Sequence, residues 1–429
     1  MRIFKRTLLR PAAIWLIAVT ATCGAANSGN FYVHPSDTVV FYGDSITEQR
    51  LYTVFTELYA VTRFPKLNAT FVHSGWGGDK VSGGGGGPID VRLERDVFAY
   101  KPTVMTIMLG MNDGKYANHT PADDDAFYEG YRHIVETVRQ KFSALRITAI
   151  EPSPFDDVTR PLTLQPNGYN AVLVNYGEWI RHYAPQAHID IADLDSGVVS
   201  MLRKANSTDP ATAQKIIPDR VHPAAAGHLI MAEQLLKGWN ARPIVAAVTI
   251  DAAKGKVVQS EFAHITDFHG GQPFVWTETD DALPLPFAAM LAADRDHTVA
   301  LAIQSSDVTQ QLNQEPLSIT GLSPGRYKVS IDGETVGTWS SDELARGVNL
   351  AVLDTPMARQ AMDVRNLTSQ HVDLHQFRWR TIQVPLGDAE APHYDEALKA
   401  LDELESDVVA RQRAAAQPRP HVFQVVVAE

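Results

Sequence analysis

Apolar and polar positions follow two different patterns along the chain, and the change comes near residue 240. Before it, short apolar runs alternate with stretches whose apolar residues recur at helical spacing. The runs predict five buried strands: Val39–Tyr42, Ala69–His73, Thr103–Leu109, Ile147–Ile150 and Ile189–Ala192. The helical stretches include Phe127–Arg139, Gly168–Ala184 and Gly227–Leu236. Such alternation predicts an α/β fold with a parallel sheet between two layers of helices, a three-layer α/β/α arrangement over residues 30–240.

After Arg242 and Pro243 the chain favours short β segments separated by turns, which predicts a β-rich accessory module over residues 241–350. Its clearest sign is the Asp332-Gly333 pair between two alternating runs, a pattern typical of a hairpin. Residues 351–429 are predicted as a helical C-terminal region, with Val422–Val427 as a candidate final strand that returns to a sheet. No motif in residues 241–429 indicates a function.

The first 26 residues have the pattern of a secretory signal peptide. A basic start precedes the short apolar core Ala12–Val19, and small residues end the segment at Ala26. The apolar core is too short to span a bilayer stably, although a lone membrane anchor is the alternative. We therefore expect a secreted or periplasmic protein with no stable membrane insertion after cleavage.

The composition of the mature chain excludes several kinds of chemistry. The single cysteine, Cys23, lies in the predicted signal peptide, where its lipidation is a minor alternative because Thr22 precedes it. Disulfides, thiolate nucleophiles and zinc–thiolate sites are then excluded. Cleavage would change the formal net charge from −12 to −16. Because phosphate contacts need a basic surface, we expect no nucleic-acid partner.

Four polar segments each lie just beyond a predicted strand or before the last helix. They are Gly43-Asp44-Ser45, the turn after His73 that contains Gly78, the turn Gly110–Asp113, and Asp219–His222. The carboxyl ends of parallel strands form the usual active-site edge. Acyl transfer by serine needs a nucleophile, a base and oxyanion donors. Ser45, His222 with Asp219, and the donors Gly78 and Asn112 could supply these parts.

Each segment also has an ordinary structural interpretation. Ser45 could be a helix N-cap whose hydroxyl only bonds the first helical amides. His222 could be a surface histidine in a turn that contains Asp219, and Asn112 and Gly78 could simply be turn residues. The occurrence of all four segments in this order, each able to supply one part of an acyl-transfer site, favours catalysis.

Together the four segments resemble the SGNH hydrolases, also called GDSL-like lipases and acylhydrolases, over about 200 residues. The matching blocks are Gly43-Asp44-Ser45, Gly78-Asp79, Gly110-Met111-Asn112-Asp113 and Asp219-Arg220-Val221-His222. The resemblance implies a flavodoxin-like three-layer fold. It also implies Ser45 as nucleophile, His222 as general base and acid, Asp219 as its orienting partner, and an oxyanion hole from the Ser45 and Gly78 amides and the Asn112 side chain. His73 departs from the family pattern, in which Asn is common at this position; the departure concerns the support of the second loop and not the catalytic set.

The substrate is less constrained than the chemistry. Secretion, acidity and the accessory module favour short acyl esters, chiefly acetyl esters, on carbohydrate. Lysophospholipids and thioesters are the alternative acyl substrates, and a non-catalytic glycan-binding protein is the alternative class. Candidate substrate contacts are Asp44, Trp76, Asp113 and Tyr116, of which the aromatic residues could stack on a sugar face or pack the rim.

Two further features have limited meaning in the sequence. The run Gly83–Gly87 predicts either a flexible surface loop or a loop beside the active site that admits a bulky substrate. A metal-dependent hydrolase using Asp219, His222 and His228 is disfavoured, because no two histidines beside a carboxylate have the i, i+4 spacing of a helical zinc site. We expect no cofactor and no bound metal.

Overall fold

The first half of the chain forms a five-stranded parallel sheet between helices, as the hydrophobic pattern predicts. The computed structural model describes residues 30–387 and 391–428, so the predicted signal peptide and Cys23 lie outside the described part. The strands of this half are β1 Thr38–Gly43, β2 Thr70–Gly75, β3 Gly83–Gly84, β4 Gly87–Pro88, β5 Val104–Met108, β6 Arg146–Ile150 and β7 Asp190–Ala192. Its helices are α1 Ser45–Glu48, α2 Leu51–Arg63, α3 Ile89–Asp96, α4 Pro121–Lys141, α5 Asn170–Ala187, α6 Leu194–Thr208, α7 Pro210–Ala213 and α8 Ala225–Gly238.

The order of the strands places a functional edge in the sheet. The order is β2-β1-β5-β6-β7, so the chain reverses its direction of progress between β1 and β5. Ligands in such sheets bind at the carboxyl ends of the strands at this reversal. Gly43 is aligned with Gly75 on one side and with Met108 on the other. The three strands therefore end at one level, and the turns that follow them share one edge.

The second half adds two further sheets, one of five strands and one of four. Their strands are β8 Ala247–Asp251, β9 Lys256–Glu261, β10 Ala263–His269, β11 Phe274–Asp280, β12 Pro316–Thr320, β13 Arg326–Ile331, β14 Glu334–Ser340, β15 Val348–Asn349 and β16 His421–Val427. Asp332 and Gly333 both have positive φ between β13 and β14, which is the conformation that the predicted hairpin requires. The last strand, β16, lies between β11 and β13 in a sheet of order β10-β11-β16-β13-β14.

The helices of the second half make most of its contacts with the first. They are α9 Phe287–Ala293, α10 Thr298–Ser305, α11 Val308–Leu312, α12 Ser341–Arg346, α13 Pro356–Gln376, α14 Val384–Leu386 and α15 Tyr394–Ala415, with a π-helical segment Phe377–Gln383 after α13. The β-rich pattern did not predict α9 to α11, of which α10 packs on α6 and α8. The predicted boundaries at residues 240 and 350 stay predictions. The strand β16 lies after residue 350 but pairs with β11 and β13, which lie before it.

A buried polar cluster joins α2 and β2 to the C-terminal helices. The Glu57 carboxylate contacts His73 at 2.9 Å, His371 at 3.1 Å and the Gln412 amide at 2.7 Å. Burial alone would lower the pKa of His371, but the charges of Glu57 and Glu405 raise it to about 10. A protonated His371 therefore pairs with Glu57 at this junction, where the pKa of Glu57 is held at about 2 against its burial.

Candidate active site

The turn after β1 is built so that Ser45 begins a helix while another residue caps it. The Asp44 side chain accepts a hydrogen bond from the Ile46 amide at 3.0 Å and is the N-cap of α1. Ser45 is the first helical residue, so the alternative in which its hydroxyl caps the helix does not hold. A Cβ on Gly43 would lie 2.2 Å from the Thr47 hydroxyl, and one on Gly75 would lie 2.2 Å from the Glu48 amide. These glycines let the short helix lie directly on the ends of β1 and β2.

Ser45, His222 and Asp219 form one continuous set of hydrogen bonds. The Ser45 hydroxyl lies 2.8 Å from His222 Nε2, and His222 Nδ1 lies 2.7 Å from an oxygen of Asp219. With the proton on Nδ1, the imidazole donates to the carboxylate and its Nε2 accepts from the hydroxyl. Ser45 and His222 are separated by 177 positions and are brought together by the fold alone. An imidazole in this place can remove the hydroxyl proton as oxygen attacks a carbonyl carbon.

The turn between Asp219 and His222 is held by its own backbone. The second oxygen of Asp219 accepts from the Val221 and His222 amides at 2.9 and 2.7 Å. Partial burial opposes ionisation, but the hydrogen bonds from these amides and the imidazole hold the pKa of Asp219 below its usual value. Arg220 between them has φ +74°, and its guanidinium is anchored on the Asp156 carbonyl. Asp219 is therefore ionised at neutral pH and faces the imidazole.

The turn after β2 brings two glycines to Ser45. A Cβ on Gly77 would lie 3.8 Å from the Ser45 Cβ, so the Gly77 backbone passes directly beside the serine. Gly78 has φ +79°, a conformation that other residues rarely adopt, and a Cβ there would meet no atom within 4 Å. The Asn112 side chain donates to the Asp79 carbonyl at 3.1 Å. This hydrogen bond joins Asn112 to the Gly78-Asp79 turn. It uses one of the two N–H groups of the Asn112 side-chain amide, and the other takes no part in it.

A buried ion cluster supports this turn from below. Arg92, which is fully buried, donates through Nε to Asp79 at 2.6 Å and through a terminal nitrogen to the Ser74 carbonyl at 2.8 Å. It also pairs with Asp96 one helical turn further along. The ion pair between Arg92 and Asp79 thus holds the turn that carries Gly78, in addition to the sheet. The sequence blocks did not indicate this role for Arg92.

The glycine run forms a small hairpin against the same turn. Gly83–Gly84 and Gly87–Pro88 pair as β3 and β4. A Cβ on Gly84 would lie 2.7 Å from the Gly78 carbonyl, and one on Gly85 would lie 3.0 Å from the Gly77 carbonyl. The glycines therefore allow two backbones to pack closely beside the site. Of the two interpretations of the run, this position matches a loop that borders the active site.

The four candidate substrate contacts differ in their surroundings. Asp44 and Asp113 are buried, at 2% and 9% exposure. Burial, together with the neighbouring carboxylates of Asp113 and Asp79, raises the pKa of Asp44 to about 7. Asp113 accepts from the Val81 amide at 3.0 Å, so both aspartates lie in the base of the site rather than on its surface. Tyr116 is 44% exposed, and its hydroxyl donates to the side-chain oxygen Oδ1 of Asn112 at 3.4 Å. It is the candidate best placed to meet a substrate.

Trp76 is covered on one face by an arginine from the far end of the chain. The Arg380 guanidinium carbon lies 3.4 Å from the centroid of the Trp76 ring, and Arg380 also pairs with Glu48. A Cβ on Gly86 would lie 2.8 Å from the same ring. Stacking of Trp76 on a sugar would therefore have to displace these neighbours. Neither Glu48 nor Arg380 stands in a recognisable sequence block.

His73 lies in the sheet and not at the turn. Its ring contacts Thr53 at 2.7 Å and Glu57 at 2.9 Å, and burial lowers its pKa to about 4. The histidine that departs from the family pattern thus belongs to the buried polar cluster of Glu57 and His371, and not to the glycine turn. Support of the glycine turn comes instead from Arg92, which pairs with Asp79, and from Glu48, which accepts from the Gly77 amide at 2.7 Å.

Two of the three candidate catalytic residues, His222 and Asp219, are open to solvent. The side chains of His222 and Asp219 are 36% and 55% exposed. A cavity of about 740 Å³, lined by residues that include Phe31, Arg63 and Asp280, lies elsewhere and includes neither Ser45 nor His222. Among residues 30–387 and 391–428, no cluster of three or more His, Cys, Asp or Glu is placed to hold a metal ion. Over the same residues, no helix combines the length and the apolar surface that crossing a membrane needs.

Comparison with known proteins gives one family and two informative relatives. Residues 41–230 match the model of the GDSL-like lipase/acylhydrolase family. An acetylxylan esterase of Geobacillus stearothermophilus is 24% identical over 180 residues, which are 41% of this chain and 74% of that enzyme. The structure of a gut microbial diltiazem-metabolizing enzyme is similar at a TM-score of 0.76 with 23% identity, covering 92% of this chain and 98% of that chain. The last likeness shows that the fold of both halves occurs in another protein. Residues 41–230 therefore form a domain of the GDSL-like lipase/acylhydrolase family, and the protein is an ester-hydrolysing enzyme.

Proposed function

We propose that the protein is a secreted or periplasmic serine esterase that removes short acyl groups, chiefly acetyl groups, from carbohydrate. The observation that carries the proposal is the hydrogen-bonded set in which the Ser45 hydroxyl lies 2.8 Å from His222 Nε2, while Asp219 holds the opposite nitrogen. This set contains a nucleophile, a base and an orienting carboxylate, which are the parts that an acyl-enzyme mechanism needs.

The reaction proceeds in two halves. Nε2 of His222 takes the Ser45 proton as Oγ attacks the acyl carbon, and the carbonyl oxygen becomes an oxyanion. The amides of Ser45 and Gly78 and the Asn112 side chain stabilise that charge. The carbon–oxygen bond to the alcohol breaks, and the alcohol leaves with the proton from His222. Water then gives a proton to the same nitrogen as its oxygen attacks the acyl carbon on Ser45. The bond between that carbon and Oγ breaks, His222 returns the proton to Oγ, and the carboxylic acid leaves.

Two observations support a short acyl group on a large polar substrate. Because the side chains of His222 and Asp219 are 36% and 55% exposed, an acyl group can be presented from solvent by a polymer or oligomer. A long acyl chain would need an extended apolar surface to cover it. The matched relative named an acetylxylan esterase supports the same substrate class, at 24% identity.

A substrate series tests the proposal. Nitrophenyl esters of increasing chain length should be compared with acetylated xylan, pectin and chitin oligomers, with acetate release as the readout. Ser45→Ala should lose at least about 10³-fold in kcat and should not be labelled by a phosphonate probe. Ser207→Ala is the matched control, because it removes a hydroxyl that bonds only its own helix.

Each outcome has a clear meaning. A wild-type rate in Ser45→Ala would refute the mechanism. A preference for long acyl chains would replace the carbohydrate substrate by a lysophospholipid or thioester. Glycan binding without turnover by the wild-type protein would favour a binding module on this fold.

A further inference from the structure

The Glu48 carboxylate connects the nucleophile helix to the glycine turn beside it. One oxygen accepts from the Gly77 amide at 2.7 Å, and the other accepts from Arg380. Glu48 ends α1, the helix that Ser45 begins. The hydrogen bond at Gly77 therefore fixes the distance between the serine and the turn that carries Gly78.

Gly78 directly follows the residue that makes this hydrogen bond. It has no side chain, its φ is +79°, and a Cβ there would meet no atom within 4 Å. At Gly77, in contrast, a Cβ would lie 2.8 Å from the Glu48 carboxylate and 3.8 Å from the Ser45 Cβ. The Gly78 amide belongs to the peptide that follows Gly77, so a shift of Gly77 would turn that amide.

Arg380 holds Glu48 and the residue before Gly77 at the same time. Its guanidinium pairs with the carboxylate and stacks on the Trp76 ring, with 3.4 Å from its carbon to the ring centroid. A planar guanidinium can do both, whereas an ammonium group cannot stack in this way. Arg380 and Glu48 have side chains that are 24% and 28% exposed, so the pair is partly shielded from solvent.

The segment that carries Arg380 is itself anchored under the site. The neighbouring Trp379 is fully buried and donates through its indole nitrogen to Asp96 at 2.7 Å. Its ring meets Trp76 edge to face, with centroids 5.5 Å apart. Phe377–Gln383 is wound as a π-helix, a rare form that is frequent at functional sites. Two adjacent side chains of this segment, Trp379 and Arg380, thus contact Trp76, the residue before the glycine turn.

We propose that Arg380 is a positioning residue for ester hydrolysis. It holds Glu48 and Trp76, and through them it sets the Gly77-Gly78 turn at the distance from Ser45 that stabilises the oxyanion. The segment Phe377–Gln383 is thereby part of the working active site, although it lies far outside the family domain. The inference rests on the proposed role of the Gly78 amide.

Three variants and one matched control test this role in the full-length protein. Arg380→Ala and Glu48→Gln should lower kcat for nitrophenyl acetate by about 10- to 100-fold, less than removal of an oxyanion donor, with KM changed less than about threefold. Arg380→Lys should lie between the wild type and Arg380→Ala. Arg378→Ala removes an arginine of the same segment that pairs with Asp402 and not with the turn, so its kcat should stay within about twofold.

Chemical rescue and additivity separate positioning from a general structural effect. Ethylguanidinium should restore part of kcat in Arg380→Ala and leave Arg378→Ala unchanged. The double variant of Arg380→Ala and Glu48→Gln should be no slower than the slower single variant, because both act through one contact. Melting temperatures show whether each variant is folded, and if Arg380→Ala is unfolded, Arg380→Lys carries the test.

The results also separate this inference from the proposed function. An unchanged kcat in Arg380→Ala, with Ser45→Ala inactive, would overturn the role of Arg380 alone. Equal losses in Arg380→Ala and Arg378→Ala, without rescue, would overturn it as well. A wild-type rate in Ser45→Ala would overturn the proposed mechanism and the role of Arg380 together.

Discussion

Replacement of Asp219 by asparagine tests the orientation of His222, the proposed base, with little change in side-chain shape. One carboxylate oxygen of Asp219 accepts from the Val221 and His222 amides, and the other accepts from His222 Nδ1 at 2.7 Å. The asparagine oxygen can keep the two amide bonds, so the turn should survive. Its NH₂ group would then face Nδ1. The imidazole must move its proton to Nε2, where it can no longer accept the Ser45 proton.

The size of the effect follows from these contacts and from exposure. The corresponding change in a buried serine-protease triad lowers kcat by about 10⁴-fold. Asp219 is 55% exposed, so water can replace part of what the carboxylate does for Nδ1. We expect a loss of about 10²- to 10³-fold in kcat, or about 3–4 kcal/mol in the activation barrier.

Steady-state hydrolysis of nitrophenyl acetate measures the effect, with the melting temperature as the test of folding. Asp209→Asn is the matched control, because Asp209 also accepts a backbone amide three residues later but caps α7 away from the site. Its kcat should equal that of the wild type. A loss below about fivefold in Asp219→Asn would refute the reasoning, since His222 would then be held in the active tautomer by something else.

Two further outcomes follow from packing and from charge. Gly75→Ala would place a Cβ 2.2 Å from the Glu48 amide, so α1 must shift. We expect the free energy of unfolding to fall by roughly 1–3 kcal/mol and kcat to fall by at least about tenfold. Gly325→Ala is the control, because a Cβ has room there, and it should be neutral in both assays. The pKa of His371 is raised to about 10 beside Glu57, so the stability from this pair is fully present below the unfolded pKa near 6.5 and is lost as pH rises toward 10. Denaturant unfolding should therefore show the difference between wild type and His371→Gln shrinking between pH 7 and 10, and a constant difference would contradict the charged pair.

The features that could be predicted from the sequence depend on short stretches of chain. The strand runs, the Asp332-Gly333 hairpin and the family fold each follow from residues close together, and the structure confirms them. The contact of Ser45 with His222 could be expected because the carboxyl ends of neighbouring strands share an edge. The cap of α1 was harder to assign, since aspartate and serine are both good N-caps and stand side by side, and the structure gives that place to Asp44.

What could not be predicted depends on contacts between distant residues that have no characteristic spacing. Glu48 follows Ser45 by three residues and, in sequence, is an ordinary helical glutamate on a solvated face. Arg380 and Trp379 stand in a stretch of mixed polar and apolar residues after a long helix, where neither hydrophobic period nor motif distinguishes them. Stacking and ion pairing act wherever the fold brings two groups together, so only the fold can reveal them. The second half of the chain contains no catalytic motif. Through Arg380 it nevertheless supplies the contacts that we expect to set the position of the Gly77-Gly78 turn relative to Ser45.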